Sequence, residues 1–145
     1  MARIEESVII KCPVDKVFVY TTEAKSWPKW HGTVPEAEQT SQGQVGIGTT
    51  FRWKYRAMGQ TQEWTGKVTG YEPNKKWAKA MTSGSMVIDD QLIFDAVEGG
   101  TKFTLVYDVK VGGLLKLLSP MIFSSTRKQL KLDLIKLKDI LEAKA

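Results

Sequence analysis

From Thr49 to Met58 the chain alternates with a period of two: Phe51, Trp53 and Tyr55 fall on one parity, Arg52, Lys54 and Arg56 on the other. Side chains of a strand point to opposite faces in turn, so the segment lays aromatic rings against a dry surface and cations into water. It therefore predicts one strand of a cupped antiparallel sheet with a single wet face. Rings of that size need a partner surface, and the one long helical pattern lies at the far end of the chain. A sheet wrapped around one helix can enclose a cavity.

The terminal pattern is a stripe. Leu130, Leu134, Leu137 and Leu141 fall within a narrow arc at about 100° per residue, and Phe123 extends the stripe one turn earlier. Ser119 reads as its N-cap and Pro120 as its first helical residue, after a break at Gly112-Gly113. Further strands are predicted at Ile4–Lys11, Pro35–Ser41, Thr61–Tyr71, Lys76–Thr82, Met86–Ala96 and Thr101–Val111. Two short helices are expected between the first and second strands. One has Pro13 as its first residue and Val14, Val17, Phe18 and Thr21 at helical spacing; the other lies around Pro28. On the fourth strand Trp64, Gly66, Val68 and Gly70 share a parity, and two glycines on an inner face predict space above it. The fold class is α+β.

At 145 residues the chain is one domain, 1–145, long enough to bury roughly 68 to 70% of its unfolded surface. Its 21 Lys and Arg are interspersed with 16 Asp and Glu for a net +5, without the basic block of a nucleic-acid tail, so specific nucleic-acid binding is not indicated. Cys12 is alone, which leaves no internal disulfide and no thiol pair for a zinc or redox motif. With His31 the single histidine, a multi-histidine metal site is excluded, and no cofactor is expected. The N-terminus lacks the apolar core of a signal peptide, and no apolar run approaches the roughly 20 residues that cross a bilayer. A cytoplasmic location is expected.

The order of strand, two short helices, six strands and long terminal helix resembles the helix-grip fold of the START-like, or SRPBCC, superfamily. Within it, the chain is similar to the polyketide cyclase/dehydrase-like branch. The resemblance is carried by Val8, Ile10, Pro13, Val17, Phe18 and Tyr20, by Trp27-Pro28-Lys29-Trp30, and by Gly46-Ile47-Gly48-Thr49. It continues through Phe51-Arg52-Trp53, the segment from Trp64 to Pro73 and the leucine-rich helix, covering nearly the whole chain. It implies a curved sheet of six or seven strands and a deep cavity holding lipids, sterols, polyketides, quinones or plant hormones. Carriers, sensors and a minority of enzymes share this fold, so fold alone leaves function open.

Phe51, Trp53, Tyr55, Trp64, Phe94, Phe103 and Tyr107 all fall on the inner parity of their strands. With Leu92, Asp90, and Phe123 and Leu130 of the helix, they form the expected ligand-binding set, in which Trp53, Tyr55, Tyr107 and Asp90 supply polar contacts to an apolar ligand. Asp90 shares parity with Ile88, Leu92 and Phe94, where an unpaired carboxylate would be costly. The favoured expectation is a bulge or strand end at Asp89-Asp90 that turns both acids to solvent. His31 is expected in an exposed loop at the cavity rim. Asp90, His31 and Tyr107 are the candidates for proton transfer if the chain is an enzyme. A hydrolytic triad is disfavoured, because Cys12 abuts a proline and no serine sits in a nucleophile elbow. The loop with Gly43, Gly46 and Gly48 lacks the Gly-Lys-Ser/Thr ending of a phosphate loop and reads as a turn.

The leading reading is a monomer or weak homodimer that binds or transports a hydrophobic or amphipathic small molecule, lipid- or polyketide-like. A cyclase- or dehydratase-type enzyme using the same pocket is the rival. A cochaperone-like protein-interaction domain is the third reading, with Leu132 and Ile135 on its outer helix face. The segment Leu114–Phe123, hinged at Gly112-Gly113, is expected to act as a lid that meets a membrane transiently.

Overall fold

The computed structural model describes residues 2–57, 59–111 and 120–144. Seven antiparallel strands form one sheet: β1 (Ala2–Ile10), β2 (Ala37–Gln39), β3 (Thr50–Ala57), β4 (Gln60–Glu72), β5 (Lys76–Ser83), β6 (Met86–Val97) and β7 (Gly100–Val111), ordered β1-β7-β6-β5-β4-β3-β2. Between β1 and β2 run α1 (Val14–Thr22), a 3₁₀ turn (Ala24–Ser26) and α2 (Trp27–Trp30), and α3 (Pro120–Lys144) ends the described chain. This is the helix-grip arrangement that the element order implied.

β3 behaves as its alternation requires. Phe51 and Trp53 are buried and Tyr55 is half-buried, while Arg52, Lys54 and Arg56 are exposed. On the wet face Arg52 pairs with Glu38, and Lys54 meets Glu36 at 3.3 Å. Leu130, Leu134, Leu137 and Leu141 are all buried, each contributing about 1.5–3 kcal/mol by leaving water. The helix is tied to the β1 side at two heights: Arg127 bonds Glu6 at 2.6 Å, and the Lys11 amide donates to Glu142 at 2.9 Å. The Lys138 ammonium and that amide hold the Glu142 carboxyl below its usual range.

The space between sheet and helix divides into two halves. In one, α1 lays Val17 and Phe18 against the sheet, and the Phe18 ring meets Phe94 edge-on at 5.0 Å and Tyr71 at 5.6 Å. Phe94 in turn contacts Phe103 at 5.2 Å. Ile10, Phe103 and Leu137 are each 0% exposed there, and none of them, nor Phe18 or Phe94, borders open space, so this half is packed. At its corner a side chain on Gly100 would collide with the carbonyl of Ile10, and only glycine admits that approach. The other half, beyond Trp27 and Trp77, is where side chains stop meeting.

Several boundaries differ from expectation. Pro13 is the N-cap of α1 rather than its first residue. β2 is only three residues long: the Glu36 carbonyl before it still accepts from the Lys54 amide at 3.1 Å, but Pro35 has no N–H with which to extend the ladder. The predicted space above Gly66 is not empty. A Cβ there would sit 2.9 Å from the Trp53 ring and 3.3 Å from the Lys79 stem, so the glycine exists to let an indole lie flat on the sheet. The regular parity of Gly70 is interrupted by a register shift between Val68 and Gly70. The predicted hinge Gly112-Gly113, the Ser119 cap and the lid from Leu114 lie outside the described residues, as does the side chain of Phe123.

Candidate functional site

The unfilled half of the grip is a cavity of about 520 Å³. All five tryptophans of the chain, Trp27, Trp30, Trp53, Trp64 and Trp77, line it. Met81, Met86, Ile88, Leu92, Leu105 and Val109 complete its apolar wall. The described part of its rim is polar: Gly32 and Thr33 after α2, Arg56, Gln60 and Gln62 at the β3–β4 turn, and Ser125, Thr126 and Gln129 at the start of α3. Arg56, Gln60, Gln62 and Ser125 are exposed, so the cavity meets solvent at that end.

Trp27 is set in place by the chain around it, since its indole N–H donates to the Thr21 carbonyl at 2.8 Å across the α1–α2 connection. Its ring contacts Trp53 at 5.7 Å and Trp77 at 6.2 Å, both edge-on. Into this cluster rises Lys79. Its Nζ lies 4.9, 5.2 and 5.0 Å from the ring centroids of Trp27, Trp53 and Trp77, within the range at which an aromatic face attracts a cation.

Lys79 is ion-paired to Asp90, and the two are 7% and 2% exposed. The pairing follows from register: Lys79 faces Asp90 across β5–β6, and Asp90 faces Tyr107 across β6–β7. One polar row thus crosses three neighbouring strands on the cavity floor. Asp90 Oδ1 is enclosed and has no hydrogen-bond partner among the described residues. Burial pushes the Tyr107 phenol well above its ordinary value, with the charges of Asp90 and Asp133 adding to it. Tyr107 is therefore a neutral phenol at physiological pH. Burial raises Tyr55 as well, again with Asp133 contributing.

At the rim, His31 stacks on Trp30 at 3.7 Å and places Nδ1 3.3 Å from Asp133 Oδ2. The other carboxylate oxygen of Asp133 accepts from the Gly32 amide at 3.0 Å and from Gln129 at 2.8 Å. Asp133 is buried on the inner face of α3. It clamps the loop after α2 to the helix, beside the entrance.

Two expectations are corrected here. Asp90 is not turned to solvent, because β6 stays regular through Asp89-Asp90 and Lys79 supplies the counter-charge that makes its burial tolerable. His31 is not an exposed loop residue; its side chain is 15% exposed and held by Asp133. Of the expected ligand-binding set, Trp53, Tyr55, Trp64, Asp90, Leu92 and Tyr107 line the cavity. Phe51, Phe94, Phe103 and Leu130 are inward but buried in packed core, and are not part of the cavity wall. Inner parity selects the face of the sheet and not the position along it.

Sequence reasoning missed Lys79 and Asp133. Lys79 alternates with Trp77 and Met81, so its inward parity was readable. Asp133 stands three residues after Leu130 and four before Leu137, on the leucine stripe itself. In each case the polar side chain at an apolar position was the available signal.

The family model described as polyketide cyclase / dehydrase and lipid transport matches residues 1–142, and the chain belongs to this family. No curated protein matches the sequence. Among solved structures, the chain is similar to a protein of Thermus thermophilus, with a TM-score of 0.82, 16% identity and 99% of each chain covered. A START superfamily protein from Mycobacterium smegmatis aligns with a TM-score of 0.81, 13% identity and 99% of each chain. The Zhui aromatase/cyclase from a Streptomyces species aligns with a TM-score of 0.77 and 17% identity over 97% of this chain and 93% of that one. At these identities the likeness establishes the shared fold. Among the described residues, no helix is long and apolar enough to cross a membrane.

Proposed function

We propose that the protein reversibly binds a hydrophobic or amphipathic small molecule, lipid- or polyketide-like, in the cavity between the sheet and α3, and acts as its carrier or receptor. The observation that carries this reading is the hollow itself. A site of about 520 Å³, walled by tryptophans and aliphatic residues with a few convergent polar groups, has the size and chemistry of a small-molecule pocket. Membership of a family described by lipid transport as well as by cyclase and dehydrase activity supports it. The whole tryptophan complement lines the wall, so the protein carries its own reporter. Titration with apolar aromatic and fatty probes should shift or quench intrinsic fluorescence saturably. Native mass spectrometry of protein from its source should show a retained ligand. Unchanged emission with every probe, together with a ligand-free mass, would rule the reading out.

A second reading, acid–base chemistry on the bound molecule, has one observation in its favour. Asp133 orients His31 through Nδ1 at the cavity entrance, which is how a carboxylate fixes the tautomer of a catalytic imidazole. The Zhui aromatase/cyclase shows that the fold accommodates an enzyme. Turnover of a polyketide-like substrate that disappears in His31→Ala, with binding retained, would favour this reading over a carrier. Turnover unaffected by His31→Ala would remove His31 from it.

A further inference from the structure

The cavity floor holds a feature that apolar binding alone does not need. A buried ion pair is expensive to desolvate, and an apolar pair of similar volume usually serves stability as well or better. Yet Lys79 and Asp90 sit at the centre of the tryptophan wall, where the cavity meets them. The pair is also incomplete in hydrogen bonds. Lys79 carries three N–H donors, and among the described residues its one hydrogen bond goes to Asp90 Oδ2. Asp90 Oδ1 has none. A carboxylate oxygen accepts more than one hydrogen bond, so Oδ2 can take a second donor from the cavity that Asp90 and Lys79 line.

We infer that the Lys79–Asp90 pair is the polar anchor of the ligand, and that it selects uncharged molecules bearing a hydroxyl group over acids and amines of the same shape. This rests on the cavity-binding reading above. A hydroxyl both donates and accepts, so it can give its proton to the Asp90 carboxylate while accepting from the Lys79 ammonium. A carboxylate ligand meets Asp90 as a like charge, and an ammonium ligand meets Lys79. Around the pair itself Tyr107 is a neutral phenol, and Trp27, Trp53 and Trp77 present ring faces; Asp133, the further charge that reaches Tyr107, is held at the rim by His31, the Gly32 amide and Gln129. The floor is neutral as a whole and bipolar in detail, which is the complement of an alcohol or phenol.

The test compares four probes that share one aromatic body: pyrene, pyrenemethanol, pyrenecarboxylate and pyrenemethylamine, titrated by fluorescence at neutral pH. Wild type should bind pyrenemethanol about tenfold more tightly than pyrene, the value of one net hydrogen-bonding interaction, and more tightly than either charged probe. In Asp90→Asn the Lys79 charge is uncompensated, and preference should pass to pyrenecarboxylate. In the double variant Lys79→Met/Asp90→Leu the preference for the alcohol should vanish while pyrene still binds. Equal wild-type affinity for pyrene and pyrenemethanol, or a charged probe binding best, overturns the anchor and leaves the cavity reading intact. Failure of all four to bind overturns the cavity reading itself. The wild-type ranking decides the matter even if a variant does not fold.

Discussion

The two halves of the grip use the same sheet face and differ in what covers it. Over Phe94 and Phe103, α1 presses Phe18 into the sheet and the rings close on one another. Over Leu92, Leu105 and Tyr107 no such helix descends among the described residues, and these three line the cavity. Neighbouring residues of one strand therefore have different work: Phe103 fills, Tyr107 faces a hollow. The comparison teaches that packed and hollow regions share one inner parity, and that what lies above the sheet decides between them.

Large-to-small substitutions test that division most strongly. Phe103→Ala in the solid half should cost roughly 3–5 kcal/mol in urea unfolding. Met81→Ala, on the wall of an existing hollow, should cost about 2 kcal/mol or less, because fewer contacts are lost there. Equal losses would erase the distinction. Asp133→Ala comes next. It leaves the Gly32 amide without its acceptor and releases His31, so a loss of about 1–3 kcal/mol is expected, with faster hydrogen exchange at the Gly32 amide. Unaltered exchange would show that the clamp does not hold the entrance.

Gly66→Ala sharpens the comparison from the hollow side. Its new methyl meets the Trp53 ring, which can tilt only into the cavity, so a loss of about 1–2 kcal/mol is expected together with weaker binding of bulky probes. Unchanged probe affinity would mean that Trp53 is not part of the wall that ligands touch. The smallest effect is alkaline. An unfolded tyrosine ionises near 10.0 and burial lifts Tyr107 well above that, so the folded state holds its proton longer. The associated stability is complete below about pH 10 and is lost as pH rises through the folded value. Tyr107→Phe should flatten the alkaline arm of a stability–pH profile, with Tyr55 retaining a share of the slope. A profile indistinguishable from wild type would place Tyr107 in water.

Parity and period carried most of the architecture. The alternation Phe51-Arg52-Trp53-Lys54 and the stripe Leu130-Leu134-Leu137-Leu141 needed no tertiary information, because strand and helix geometry alone assign their faces. What the pattern could not say is where along the inner face the filling ends. That depends on where the covering helices land: α1 sets Phe18 on Phe94, which meets Phe103, and α2 sets Trp27 on Phe51, contacts that parity alone does not assign. Asp90 was turned outward in expectation because its partner was invisible: Lys79 meets it only through the β5–β6 register. His31 was misplaced for the same reason, its partner Asp133 lying 102 residues away.

Diffraction from a crystal of the protein pressurised with xenon tests the central claim most directly. The account predicts xenon among Trp53, Trp64, Met81 and Leu105, and none among Phe18, Phe94 and Phe103. Side chains closed over the first region, with no xenon in it, would contradict the account and withdraw the ligand site with it.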